Sequence, residues 1–136
     1  MSLDASAVIV PQSLRSVISV RNGRFRIHTD EPVGAGGDDS APSPHELLAA
    51  SLAGCIATTL AMYARAKGWE LGDVSVDVDY DNASSPRRFA VDVHLSGDLT
   101  GDQLVRLEKV AATCPVRRAL EADVVVEERL HAHLPA

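Results

Sequence analysis

The chain has 136 residues, 46% hydrophobic and 24% charged, a composition that fits one soluble globular domain over residues 1–136 with a core burying roughly two-thirds of its unfolded surface. A formal charge of -6 without any basic cluster argues against a nucleic-acid backbone as partner. Aromatic residues make up 4% and cysteines number 2, so we expect a core of Val, Leu, Ile and Ala, and a reducing, cytoplasmic setting in place of a disulfide framework.

The N-terminal stretch MSLDASAVIVPQSLR has no basic segment ahead of its short apolar run, which speaks against a secretory signal. From Ser16 to Thr29 the sequence predicts two short strands joined at Asn22-Gly23, a dipeptide that favours a type I′ turn, so the chain is expected to open with a hairpin. Asp30 to Pro42, DEPVGAGGDDSAP, is a connection long enough to suggest function or mobility. Its GAGG lacks the flanking elements and the Gly-Lys-Ser/Thr of a phosphate loop, and flexibility explains it better.

Ser43 to Gly68 carries the strongest helix signals. Ser43 is the expected N-cap, Pro44 stands at the first helical position, and Glu46 closes a capping box. Arg65 and Lys67 suit the negative end of the dipole, and Gly68 supplies a left-handed stop. Leu48, Leu52, Cys55, Ile56, Thr59 and Tyr63 form an apolar stripe, while the other side is mostly small: Ala49, Ala50, Ala53, Gly54 and Ala61. A helix with so little polar surface is expected to be central and surrounded by protein. Its uncharged run from Leu47 to Ala64 reaches the length of a membrane span, but the Ala, Gly, Ser and Thr within it argue against one.

Val74 to Tyr80 and Arg88 to Leu95 alternate with period two, as strands with one buried face do. Thr100 caps a second helix with Gln103 three residues on, ending near Thr113. Pro115 opens a short helical stretch through Leu120, which leaves Cys114 at a helix N-terminus. Val124 to Leu130 predicts a last strand, and the tail HAHLPA is expected to fray. The order of elements describes an α+β domain, an antiparallel sheet packed on a long central helix plus a second helix.

Cys55 and Cys114 are the groups with obvious covalent chemistry. A mid-helix cysteine on an apolar stripe often only fills space. Cys114, near Arg117 and Arg118, is expected in the electropositive setting that lowers a thiol pKa. A metal site is disfavoured, since it would need His131 or His133 from the tail and no C-x-x-C occurs. No dinucleotide, haem or metal motif implies a cofactor.

PSPHELLAASLAGCIATTLAMYARAKGW, followed some sixty positions later by ATCPVRRAL, resembles the OsmC/Ohr family of osmotically inducible and organic hydroperoxide resistance proteins, in its branch with P-S-P-x-E-L-L. DEPVGAGG and the flanking strand pattern resemble that branch too. The resemblance implies an intertwined homodimer with active sites at the subunit interface. It also implies thiol-dependent reduction of organic hydroperoxides, with Cys55 attacking the peroxide, Cys114 resolving it as a disulfide, and a dithiol such as a lipoyl group as external reductant. It further assigns the activation of Cys55 to an arginine near the N-terminus, held by a glutamate at the start of the helix.

Counting back from Asn22-Gly23 favours Arg15 for that arginine, with Arg24 and Arg21 behind it; each could be a solvated strand residue. The family's peroxidases place their glutamate directly after the helix proline, where this chain has His45, ten residues before Cys55. Glu46 follows, about 180° round an ideal helix from Cys55 against about 80° for His45. Glu46 is therefore a catalytic acid or only the capping acid, and His45 a titratable neighbour or an exposed first-turn residue. Two other readings stay open. One is a non-enzymatic or redox-sensing dimer that binds an apolar small molecule at its interface. The other is a Cys55 nucleophile acting on a different electrophile.

Overall fold

The local signals at both ends of the long helix act as their chemistry dictates. In the computed structural model, which describes residues 3–132, α1 spans Pro44–Lys67. Ser43 Oγ accepts from the Glu46 amide at 3.3 Å, and Glu46 Oε1 accepts from the Ser43 amide at 3.0 Å. At the other end Gly68 is left-handed, with φ 71°. The Gly68 and Trp69 amides then bond back to the Arg65 and Ala64 carbonyls, a Schellman stop.

One row of α1, Leu52, Ile56, Leu60 and Ala64, is buried and forms the core with Leu71, Leu107 and Cys114. Strands β4 (Val74–Asp81) and β5 (Arg88–Leu95) pair antiparallel from Val74↔Leu95 to Asp81↔Arg88. Their pleat turns Val74, Val76, Val78 and Phe89 towards that core and leaves the aspartates of β4 in solvent. Helices α2 (Gly101–Ala111) and α3 (Pro115–Glu121) close the same side of α1. Thr100 and Gln103 form the expected capping box of α2. Truncating Leu60, 1% exposed, to Ala would cost about 2–5 kcal/mol.

The N-terminal part forms a second sheet. Strands β1 (Ala5–Ile9), β2 (Ser16–Val20) and β3 (Phe25–Thr29) lie in that order, antiparallel. Asn22 and Gly23 carry φ 54° and 85° between them, as a type I′ turn requires. The chain thus opens with three strands and not with a hairpin alone; β1 is a Ser-Ala-Val-Ile run that pairs Ala5↔Val20 through Ile9↔Ser16.

Asp30 to Pro42 is more ordered than its glycines suggest. The buried Asp30 carboxylate accepts from the Glu31 amide at 2.8 Å, from the Ser40 amide at 3.0 Å and from the Ser40 hydroxyl at 2.6 Å. These bonds, the Ser40 hydroxyl foremost, hold its pKa down at about 2. Gly37 passes so close to Glu31 O that no side chain fits there.

One expectation is not met within the single chain. Val124 to Leu130 forms no strand and is exposed, with Val125 82% and Val126 81% exposed. A strand exists only against a hydrogen-bonding edge, and a single chain lays none beside it. Within one chain α1 is covered on one side only. It is long and apolar enough to cross a membrane, yet one face is buried against β4, α2 and α3, while Ala50, Gly54, Ala61 and Met62 are exposed. The end of the tail, including His133, lies outside the described residues.

Candidate active site

Cys55 lies midway along α1, where its turn meets the start of α3. Pro115 begins α3, so Cys114 becomes its N-cap and is carried, fully buried, against Cys55. Both thiols are free, and they lie near enough for each to affect the ionisation of the other. Burial works against the Cys55 thiolate, but donation from Cys114, from the Val116 amide and from the Thr59 hydroxyl outweighs it and lowers the Cys55 pKa. Burial pushes the Cys114 thiol up, and the neighbouring Cys55 sulfur pushes it further, against donation from the Arg117 and Val116 amides.

This reverses the electrostatic expectation. The nearby arginines predict a lowered Cys114 thiol, yet the Arg117 guanidinium turns along α3 to Glu121, 2.8 Å away, and its main chain is what serves the cysteine. Cys55, half-buried, is the thiol of the pair whose pKa is lowered. The signal for Thr59 was present in the sequence as an i, i+4 pair with Cys55; that for Val116 was not, because only the tertiary fold places it there.

The other predicted residues lie elsewhere in the single chain. Nine residues of helix separate Glu46 from Cys55, about 13.5 Å along the axis. Glu46 is held by Ser43, whose amide and hydroxyl lower its pKa. It also lines a hollow of about 400 Å³ with Ala49, Ala50, Ala53 and Tyr80. His45 is exposed and meets Tyr80 edge-on at 6.1 Å, and Tyr80 stacks on Phe89 at 4.2 Å. Arg15 sits beyond the β1–β2 turn and lines a polar hollow of about 290 Å³ with Ser16, His28, Thr29 and Ser40. Arg21 and Arg24 both lie over the Phe25 ring at 5.3 Å.

A cavity of about 310 Å³ opens between β5 and the two cysteine-bearing helices. Leu52 and Ile56, from the turn of α1 that holds Cys55, line it together with the apolar Phe89, Val91 and Leu120 and the charged Arg87, Arg117 and Glu121. Among the described residues no three His, Cys, Asp or Glu side chains come together as a metal site.

This arrangement of sheets and helices belongs to a known class. The family model described as OsmC-like protein matches residues 37–129, and the chain belongs to that family. A proposed osmotic stress induced and detoxification response protein from Psychrobacter arcticus superposes with a TM-score of 0.72 at 27% identity, covering 85% of each chain. An organic hydroperoxide resistance protein OsmC from Legionella pneumophila gives 0.65 at 21% identity, covering 89% of this chain and 90% of its own. The organic hydroperoxide resistance protein OhrB of Bacillus subtilis gives 0.57 at 20%, covering 90% and 93%. No curated protein sequence matches this one.

Proposed function

We propose that the protein is a thiol-dependent peroxidase that reduces organic hydroperoxides, with Cys55 as the attacking thiol and Cys114 as the resolving one. The observation that carries this reading is that the two free cysteines lie together, Cys55 half-buried and reachable and Cys114 fully buried behind it. The Cys55 thiolate attacks the terminal peroxide oxygen, the O–O bond breaks, and the alkoxide leaves and takes a proton to become the alcohol. Sulfur is oxidised by two electrons to a sulfenic acid. Cys114 then attacks that sulfur, the S–S bond forms, and hydroxide departs as water. An external dithiol of lipoyl type, in the cytoplasm, reduces the disulfide by exchange.

The family membership and the names of the Legionella and Bacillus proteins support this substrate class. The apolar walls of the neighbouring cavity suit an alkyl group. The acting form is a homodimer. A second copy would cover the bare face of α1 and supply an edge for Val124–Leu130, and it could bring Arg15, His45 or Glu46 towards the cysteines of its neighbour.

Adding cumene hydroperoxide to the reduced protein should form a Cys55–Cys114 disulfide within seconds, read by intact mass and peptide mapping. Oxidation no faster than that of a free thiol, or turnover that survives Cys55→Ser, removes the peroxidase. The same apolar cavity keeps a second reading, a redox-sensing dimer that binds an apolar molecule. That protein would form its disulfide once and would not turn over with a dithiol present.

A further inference from the structure

Among the described residues, Phe89 is the one aromatic ring that lines the cavity of about 310 Å³ beside the cysteine-bearing turn of α1. It stands directly opposite Tyr80 in the β4–β5 ladder, and the two rings stack with centroids 4.2 Å apart and planes 3° from parallel. Tyr80 in turn meets the His45 ring edge-on, at 6.1 Å and 71°. Three rings thus run from the first turn of α1 across β4 to the cavity on β5, and Tyr80 itself lines the separate hollow that holds Glu46.

A lone phenylalanine on a sheet surface turns about χ2 and yields to whatever packs on it. Phe89 is half-buried against the core and stacked on its cross-strand partner, so it presents a flat surface of fixed orientation. A surface ordered in advance costs a ligand little further ordering on binding.

We propose that the run His45–Tyr80–Phe89 determines specificity at this cavity: Phe89 is the surface on which the aryl group of a substrate packs, Tyr80 and His45 are the positioning residues that hold it, and the protein therefore prefers aryl hydroperoxides to linear alkyl ones of equal carbon number.

This rests on the peroxidase reading and narrows its substrate class. An aryl group on Phe89 gains a ring–ring contact beyond its area burial, worth about 2- to 12-fold in affinity. A linear chain gains only the apolar contact that Leu52, Ile56, Val91 and Leu120 offer to any hydrocarbon, and it has more rotatable bonds to freeze. The charged Arg87, Arg117 and Glu121 do not distinguish two uncharged peroxides. At about 310 Å³ the cavity stands near the lower end of the size range of small-molecule sites, which favours the compact substituent. His45 acts through its ring, so an uncharged ring can take its place.

The test compares kcat/KM for cumene hydroperoxide and for linear nonyl hydroperoxide, both of nine carbons, in the wild-type protein, Phe89→Leu, Tyr80→Leu, Tyr80→Phe, His45→Ala and His45→Phe. The wild-type ratio should favour cumene hydroperoxide by about 2- to 12-fold, with the difference in KM. It should fall towards unity in Phe89→Leu and Tyr80→Leu, fall partway in His45→Ala, and be kept in Tyr80→Phe and His45→Phe. A wild-type ratio near unity, or variants that slow both peroxides by one factor, overturn the proposal. His45 is exposed, so His45→Ala decides the point where a leucine variant does not fold. A wild-type protein that reduces neither peroxide removes the peroxidase reading alone. Titration of the reduced chain with cumyl alcohol and with 1-nonanol, followed in the ring proton resonances of Phe89 and Tyr80, then decides. Tighter binding of cumyl alcohol, lost in Phe89→Leu, supports the assignment, and equal binding of the two alcohols overturns it.

Discussion

Cys55 and Cys114 lie side by side, the half-buried sulfur lowered in pKa and the fully buried one raised. The proposed division of labour, Cys55 attacking and Cys114 resolving, follows that difference. Removing Cys114 should have two consequences. In Cys114→Ala, Cys55 loses a donor and its alkylation at pH 7 slows. Peroxide treatment then stops at the sulfenic acid, trapped by dimedone on the Cys55 peptide, and excess peroxide drives it to the sulfinic state. A Cys114→Ala protein that turns over like the wild type would show that Cys114 resolves nothing.

The Asp30 carboxylate makes the N-terminal connection dependent on acid. Its folded pKa of about 2 lies below the unfolded value of about 3.9, so its contribution is fully present above the unfolded value and is lost as pH falls through the folded one. Wild-type stability should therefore drop between about pH 4 and pH 2, and Asp30→Asn should flatten that part of the curve while lowering stability at pH 7. Urea melts at pH 7, 4 and 2.5 measure it. Parallel losses in both proteins would assign the acid sensitivity to other carboxylates.

The capping box fixes where α1 begins, and Glu46 has no contact with Cys55 within one chain. Ser43→Ala should cost about 1 kcal/mol, or about 4 °C in melting temperature. If Glu46 is only the capping acid, Glu46→Ala lowers stability by a similar amount and leaves the rate of Cys55 oxidation by peroxide unchanged. A rate loss of tenfold or more in Glu46→Ala would instead require Glu46 to act across a subunit boundary.

On the outer face of β4–β5, Asp77 stands directly opposite Asp92, with His94 Nε2 3.5 Å from Asp77 as the nearest basic group. Like charges opposed across a ladder are destabilising. Asp92→Thr should therefore raise stability by about 0.5 kcal/mol at low salt, and the gain should shrink at 1 M salt as the repulsion in the wild type is screened. A gain independent of salt would point to strand propensity instead.

The parts of the fold legible in the sequence are those set by near neighbours. Ser43, Pro44, Glu46 and Gly68 bound α1 through bonds within four residues, and Asn22-Gly23 turns the hairpin through its own backbone angles. The alternation of β4 and β5 reports a core face each strand carries with it. Less legible were features that need a distant partner. Nothing local in Ala5–Ile9 shows that β2 will pair with it, and Val124–Leu130 has a strand's composition but no edge in its own chain. The site divides the same way. The cysteines and Thr59 can be read from type and spacing, but the amide that serves Cys55 comes from Val116, 61 residues on.

Gly54 offers the sharpest test of the proposed dimer. It lies next to Cys55 on the bare face of α1, and a Cβ built there meets no atom within 4 Å. In an isolated chain, Gly54→Leu should therefore be tolerated, and it should even stabilise the helix, since Gly in a helix interior costs about 0.5–1 kcal/mol against Ala. Against a closely packed second copy the same side chain has no room. We expect light scattering to give a dimer for the wild type and a shift to monomer for Gly54→Leu, with α1 helicity retained in circular dichroism. Slower peroxide turnover in that variant would follow if the partner completes the site. A Gly54→Leu protein that remains a dimer of wild-type affinity would move the interface off this face of α1, and a monomeric wild type would leave Cys55 to work with the donors of its own chain alone.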